Sequence, residues 1–415
     1  MSKKKILFHS QHLHGVGHHF RTLQIVRELS ERHEIYWVEG GRRIPDSDIP
    51  EPVKIIQQEP IYFSNWGRLI SANRKISLKE ALNSRKRVLK EVIETIKPDI
   101  FFIEYFPFRW TLANELMQAL SIVKTLNSSC KVVCSLRDVP RESPATSHLS
   151  NRVPPDPLAK WYKKKFYTKN PLLTPQERER RKARLYYEQV VSTLNSNFEC
   201  LLVHTDPRVN TLDQYFPWIE KLQIEILYTG YVAQRISEKS IDYTHPFVLV
   251  SSGGGADAYK IVKPCIDAWK LLYRHNKINN RQMIIFTGLF IPQSKYKKLQ
   301  RGCENGPFKI EMFTNDFIHW MKAADFSISR AGYNTCMNIL ETKTPALVVP
   351  SGLTNDQYLR GQTLSNLGLV EMIMAKDLRP HRIAESIERG VLSSHSVHDI
   401  SMDGAKRTAD ILSVI

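Results

Sequence analysis

The sequence predicts an α/β fold in two halves, each an open parallel sheet with its own core. Short apolar runs alternate with helix-period patterns along the whole chain, as strands joined by helical crossovers do. At 415 residues the chain is long for one core and comfortable for two. A glycine-bearing turn follows the first strand-like run of each half, at Ser10–Arg21 and again at Val248–Lys260. Apolar residues at 42% and charged residues at 24% fit a folded globular chain rather than a disordered one.

Taken in order, the strand candidates of the first half are Lys5–His9, Glu34–Val38, Asp99–Glu104, Lys131–Leu136 and Cys200–His204. Phe20, Leu23, Val26 and Leu29 recur at helical spacing and predict a helix from about His18 to Ser30. In the second half the candidates are Phe247–Ser251, Met283–Thr287, Asp325–Ser329 and Ala346–Val349. Thr229–Pro246 reads as the hinge. The domains expected are therefore 1–235 and 236–400, with a last helix within 401–415 able to pack on either. Two such halves predict a ligand cleft between them, with the carboxyl ends of both sheets facing one another.

Charge and cysteine usage narrow the class. The net charge is +17, and residues 151–190 hold eleven Lys or Arg against four Asp or Glu. That stretch reads as a basic insertion, either a solvated face or a patch for anionic lipid head groups, with Trp161, Tyr162, Phe166 and Tyr167 beside Lys163, Lys164 and Lys165. No nucleic-acid-binding motif accompanies the charge, so nucleic acid is not an expected partner. No run approaches the roughly 18 apolar residues of a membrane span. The N-terminal apolar run ends at His9, too short for an export signal. The six cysteines form no CxxC pair and read as buried thiols of a reducing cytosol. The expected location is cytoplasmic, peripheral at the inner face of a membrane if the basic patch binds lipid.

The chemistry gathers at turns. Gly15 and Gly17 permit close approach of backbone to ligand, and His18 and His19 follow where the helix begins. The positive end of a helix lowers a histidine's pKa and favours the neutral imidazole that a general base requires. Five histidines fall within the first nineteen residues, but no carboxylate or cysteine ligand cluster accompanies them, so no metal site is expected. Asp46-Ser47-Asp48 mimics a metal-binding DxD but lies in a Pro-rich loop. In the second half Gly253, Gly254 and Gly255 offer amides that surround a phosphate, with a helix expected from near Ala256. A second such turn runs from Arg330 through Gly332 into Tyr333, Asn334 and Thr335. Two helix starts aimed at one ligand suit a diphosphate. Glu104, Arg137 with Asp138, and His204 with Asp206 end apolar strands, and Glu104 and Arg137 are candidate acceptor contacts.

HGVGHHFR, SSGGGAD, FTNDFIHWMKAAD, RAGYNT, ILETKTPALVVP and NDQYLRGQTLSNLGLVE resemble the MurG-like GT-B glycosyltransferases, nearest to the "predicted glycosyltransferase" branch of that group. The resemblance is strongest from Phe247 to Glu371 and at the first turn. It implies a GT-B fold of two Rossmann-like domains, with the nucleotide sugar on the C-terminal one. It puts His18 at the base position and Gly15 and Gly17 in the first glycine loop. Phe313 and Thr314 fall at the nucleobase, Tyr333, Asn334 and Thr335 at the diphosphate, and Gln357, beside Asp356, at the donor sugar. One position departs. Where the family usually places a ribose-binding glutamate, this chain has Asn338, a weaker and partly donating partner, with Glu341 one helical turn on.

The function these features imply is metal-independent transfer of a sugar from a nucleoside-diphosphate donor, UDP-linked, to a hydroxyl on a lipid-linked or soluble acceptor. The donor is a substrate, and no cofactor is expected. A nucleotide-sugar hydrolase of the same fold and an inactive sugar-nucleotide-binding protein are the alternatives.

Overall fold

The computed structural model describes residues 3–13, 16–42, 44, 48–64, 68–140, 174–254, 257–351, 355–393 and 397–415. They form two compact units, Met1–Val232 with Asp403–Ile415, and Ala233–Met402.

The first unit is built on strands β1 (Lys5–Ser10), β2 (Glu34–Glu39), β3 (Lys54–Gln57), β6 (Ile100–Glu104), β7 (Lys131–Arg137), β8 (Cys200–His204) and β9 (Glu225–Tyr228), with a small antiparallel pair, β4 (Ile61–Phe63) and β5 (Leu69–Ser71). Its main sheet runs β3-β2-β1-β6-β7-β8-β9, all parallel. Successive residues of β1 face opposite sides: Leu7 enters one core with Phe101 and Ile103, Ile6 and Phe8 the other with Val26 and Trp37. A strand buried on both faces reads as a continuous apolar run, which is why the central strands are visible in the sequence. Among the described residues, α1 (Gly17–Ser30), α2 (Leu78–Ile96), α3 (Ala113–Leu126) and α4 (Pro175–Asn197) accompany the sheet. Capping boxes start α2 (Ser77 with Glu80) and α4 (Thr174 with Glu177).

The second unit repeats the plan. Strands β10 (Phe247–Ser251), β11 (Gln282–Phe286), β12 (Phe308–Glu311), β13 (Phe326–Ser329), β14 (Ala346–Val348) and β15 (Glu371–Met372) form a parallel sheet in the order β12-β11-β10-β13-β14-β15. Helices α5 (Ala258–Arg274), α6 (Gln293–Cys303), α7 (Phe317–Ala323), α8 (Tyr333–Thr342), α9 (Asn355–Asn366) and α10 (Pro380–Gly390) accompany it. The core includes Val248, Val250, Trp269, Ile285, Ile328 and Leu347. In each unit the strand order reverses beside the first strand, between β1 and β6 and between β10 and β13. That reversal leaves a crevice at the carboxyl ends of the strands, where ligands of open α/β sheets bind.

The final helix, α11 (Gly404–Val414), packs on α1 in the first unit. Arg32 pairs with Asp410 at 3.0 Å, and Lys4 Nζ donates to the Ser413 carbonyl at 2.9 Å. Strands β3, β9, β12 and β15 and the β4–β5 pair are not among the predicted ones. They are short, and their residues are mostly half-exposed or exposed, so no continuous apolar run marks them. Much of the basic insertion, including Trp161, Tyr162, Lys163, Lys164, Lys165, Phe166 and Tyr167, lies outside the described residues. The rest opens α4, where Arg178, Arg180, Arg181, Lys182 and Arg184 are exposed. All six cysteines are free and five are buried. Among the described residues no helix is long and apolar enough to cross a membrane.

Candidate functional site

In the first unit the strand-order reversal brings His18 and Glu104 together. His18 lies in the first turn of α1, just past β1, and Glu104 is the last residue of neighbouring β6. His18 Nδ1 lies 2.8 Å from Glu104 Oε2, and buried Arg21, one turn further along α1, donates to the other carboxylate oxygen. Burial works to raise the Glu104 carboxyl, but Arg21, His18 and Arg137 overcome it and hold it down to about 2. Burial is also the largest influence on His18 and pushes it down to about 4; Glu104 pulls upward, Arg137 and Arg21 downward. The lowering expected from the helix dipole is present, with desolvation as its main cause. At neutral pH Glu104 is therefore a carboxylate that only accepts, so the His18 Nδ1 proton points to it. Nε2 is left as a lone pair on a neutral ring, and the side chain keeps 15% exposure.

Glu104 requires a correction. Expected among acceptor contacts, its side chain is only 2% exposed and its two oxygens serve His18 and Arg21, so it holds the His18 ring rather than facing a ligand. Arg137, at the end of β7, lies over the Tyr105 ring with its guanidinium carbon 5.2 Å from the centroid. His204 lies inside, bonded at 2.8 Å to Ser135 Oγ and to Thr229 Oγ1, which makes it a core histidine. Gly15, His14 and Asp46-Ser47 lie outside the described residues; Asp48 pairs with Arg27.

Two groups near the first turn were not anticipated. Arg85 on α2, fully buried, donates to Glu115 on α3 at 2.9 Å, to the Gly40 and Glu59 carbonyls, and to Gln11 Oε1. Glu115 also bonds His9 and Gln58. Gly40 is required here, since a Cβ would stand 1.8 Å from Arg85 Nη1. The second is Glu39, which ends β2. Its Oε1 lies 3.1 Å from His12 Nδ1 and 2.6 Å from His19 Nδ1. The histidine cluster thus does have a carboxylate, contrary to the sequence reading. The strand-end rule that singled out Glu104 applies equally to Glu39, paired in register with Ser10 of β1.

In the second unit the predicted donor residues all follow carboxyl ends of parallel strands. Gly253 and Gly254 come after β10, Phe313 and Thr314 after β12, Arg330 to Thr335 after β13, and Asp356 and Gln357 after β14. Gly253 has φ +70° with open space where a Cβ would be, so glycine is needed for its backbone and not to avoid a neighbour. Gly255 and Ala256 lie outside the described residues, and α5 begins at Ala258. Gly332 is the N-cap of α8 and supplies no side-chain cap. Phe313 and Thr314 are half-buried, and Thr314 Oγ1 accepts from the Asp316 amide.

Three predicted donor residues turn inward. Arg330 is buried, with Nη1 3.4 Å from the Val349 carbonyl, and burial lowers its pKa. Asp356 is buried 3.5 Å from Arg360, whose Nη1 donates to the Ala331 carbonyl. Gln357 Oε1 accepts from the Ser351 amide. Arg330 and Arg360 thereby tie the turn after β13 to the residues after β14. Asn338 is also buried, while Glu341, one turn on, is half-exposed.

Residues 248–414 match the family described as Glycosyltransferase family 28 C-terminal domain. The likeness to that family lies in the second unit and the final helix. A UDP-N-acetylglucosamine--N-acetylmuramyl-(pentapeptide) pyrophosphoryl-undecaprenol N-acetylglucosamine transferase of Bartonella quintana is 30% identical over 157 residues, 36% of this chain and 39% of that protein. Its Bacillus subtilis counterpart is 24% identical over 155 residues, 36% and 40% of the two chains. The chain thus spans about two fifths of the length of these relatives. Among solved structures, TcCGT1 in complex with UDP aligns with a TM-score of 0.60 at 10% identity, covering 99% of this chain and 94% of that one. Acinetobacter baumannii MurG aligns at 0.54 and 12%, covering 99% and 100%. A UDP-GlcNAc 2-epimerase from Methanocaldococcus jannaschii aligns at 0.55 and 11%, covering 100% of both. At such identities the likeness is one of fold, and that fold serves more than one reaction.

Proposed function

We propose that this MurG-like chain transfers a sugar from a UDP-linked donor to a hydroxyl acceptor, with His18 as general base and no metal ion in the displacement. The observation that carries this reading is the His18–Glu104 pair, which sets one imidazole tautomer and leaves Nε2 ready to accept a proton. The second unit holds the donor. Backbone amides at Gly253, Gly254 and the start of α8 meet the diphosphate, and Phe313 and Thr314 meet the base. His18 takes the acceptor hydroxyl proton as that oxygen attacks the anomeric carbon. The bond to the diphosphate breaks, and the helix-start amides stabilise the departing charge. The matched relatives' names, with their UDP-N-acetylglucosamine donor, support a UDP-sugar.

Release of UDP from a panel of UDP-sugars, with and without an extract supplying acceptors, tests this. Extract-dependent release supports transfer; release that ignores the extract makes the chain a hydrolase, and binding without release makes it neither. On the donor side, Glu341 takes the ribose hydroxyls in place of Asn338. Hydrogen bonds to a charged group contribute about 1.5–3 kcal/mol, so Glu341→Ala is expected to weaken UDP binding roughly 10- to 100-fold by calorimetric titration. Unchanged affinity would place the ribose elsewhere.

We propose that the acceptor is lipid-carried and that the basic N-terminal half of α4 holds the chain at the cytoplasmic side of an anionic membrane. Cations near such a surface contribute about 1 kcal/mol each. Arg178, Arg180 and Arg181 changed to Gln are expected to reduce co-sedimentation with anionic vesicles at low salt, and added salt to reduce that of the unsubstituted protein. Indifference to anionic vesicles would favour a soluble acceptor.

A further inference from the structure

The three side chains His12, His19 and Glu39 perform no step in sugar transfer, yet they are among the most completely buried polar groups of the first unit. Their exposures are 4%, 1% and 4%. One donor atom from each lies within 4.8 Å of the others. A satisfied hydrogen-bond network does not account for them. His12 Nε2 lies 2.7 Å from the Arg42 carbonyl, an acceptor only, so Nε2 carries the proton. Burial works to lower the His12 pKa, but the Glu39 carboxylate, 3.1 Å from His12 Nδ1, overcomes it and raises it, so this nitrogen draws a positive charge towards Glu39. His19 Nε2 is buried with no hydrogen-bond partner. Two imidazoles drawn onto one carboxylate in a dry site call for positive charge among them, which a bound cation supplies in place of a proton.

We infer that His12, His19 and Glu39 form a binding site for a divalent transition cation of the zinc class, which ties the β1–α1 turn to the end of β2. Two imidazoles and one carboxylate are a zinc donor set, and three protein ligands leave a fourth position for water. Magnesium and calcium prefer all-oxygen surroundings. The contact of His12 with the Arg42 carbonyl is the outer-shell bond that ligating histidines make through their other nitrogen. The surroundings hold the rings in place. Trp37 stacks on His19 with centroids 4.9 Å apart, and a Cβ on Gly41 would come within 2.2 Å of the His12 ring. The ion's place is structural: it holds the turn between His12 and His19, next to His18, and takes no part in displacement. The inference therefore stands or falls apart from sugar transfer.

Full-length protein stripped with a chelator and dialysed is titrated with Zn²⁺, Co²⁺, Mg²⁺ and Ca²⁺ separately. The expected result is one equivalent of Zn²⁺ or Co²⁺ bound, visible absorption bands of low-symmetry Co²⁺, and a rise of several degrees in Tm with Zn²⁺. No uptake of Mg²⁺ or Ca²⁺ is expected. His12→Ala, His19→Ala and Glu39→Gln should each weaken Zn²⁺ binding at least 100-fold, whereas His381→Ala, at an exposed position on α10, should not. The Co²⁺ spectrum of the unsubstituted protein reports the ligand set even if a variant does not fold. Absence of Co²⁺ bands and of stoichiometric Zn²⁺ uptake, or uptake that survives all three substitutions, would overturn the site.

Discussion

His18→Ala is expected to lower kcat for sugar transfer by roughly 10²–10⁴-fold while UDP affinity stays within about twofold. The size follows from the role. A positioned base contributes only as the proton leaves the attacking hydroxyl, so its loss falls on kcat and not on ground-state binding. The separation of kcat from affinity follows from the fold, because His18 belongs to the first unit and the proposed nucleotide contacts to the second. Glu104→Gln is a sharper companion. The amide has nearly the shape of the carboxylate, but it offers either a donor or a neutral acceptor to His18 Nδ1 and weakens the partner of buried Arg21. A loss smaller than that of His18→Ala, with the nucleotide still bound, is expected. Steady-state kinetics with calorimetric UDP titration measures both. Near-normal kcat in folded His18→Ala protein would transfer the base role to another group.

The second large effect is on stability. Glu115→Ala is expected to destabilise the first unit by about 3–5 kcal/mol, because it leaves the Arg85 guanidinium buried with its charge unpaired. For a unit of this size that corresponds to a fall in Tm of roughly 6–20 °C. Replacing both partners, Arg85→Met with Glu115→Leu, removes the stranded charge and is expected to cost much less than the single change. The pair also sets a pH dependence. Burial alone would raise the Glu115 carboxyl, but Arg85, with help from His9 and Gln58, holds it down to about 2. A depressed carboxyl contributes stability that is fully present above its unfolded value of about 4.3 and lost as pH falls through its folded one. The unsubstituted protein should therefore lose stability from about pH 5 down to pH 2, and Glu115→Ala should show a flatter acid limb in thermal melts. Equal acid limbs in the two proteins would show that the pair contributes no linkage.

Why some of this was readable in the sequence and some was not has a physical explanation. Central strands such as β1, β6 and β10 are buried on both faces and must be apolar throughout, so they stand out. Edge strands such as β3, Lys-Ile-Ile-Gln, need no such run and pass for loop. Glycine turns after β1 and β10 mark where a phosphate or a base can sit, and His18 is a candidate on that ground. What composition cannot reveal is which strand ends become neighbours. Glu104 meets His18, and Glu39 meets His12 and His19, only because β6 and β2 flank β1 in the sheet. Spacing alone held no sign of either contact. Arg330, Asp356 and Gln357 show the converse. A polar residue in a motif looks like a ligand contact, yet Arg330 and Gln357 are taken by backbone groups and buried Asp356 by Arg360.

The most direct test of the central claim follows the sugar itself. UDP-sugars carrying a radiolabel in the sugar are incubated with the protein and a membrane extract, and the label is located after separation. If the chain is a transferase with His18 as base, label appears in an acceptor fraction in step with UDP release. That transfer falls at least 100-fold in His18→Ala, in line with the loss of a general base. Label recovered only as free sugar or sugar phosphate, in amounts that match UDP or UMP release without extract, would contradict transfer and make water the acceptor.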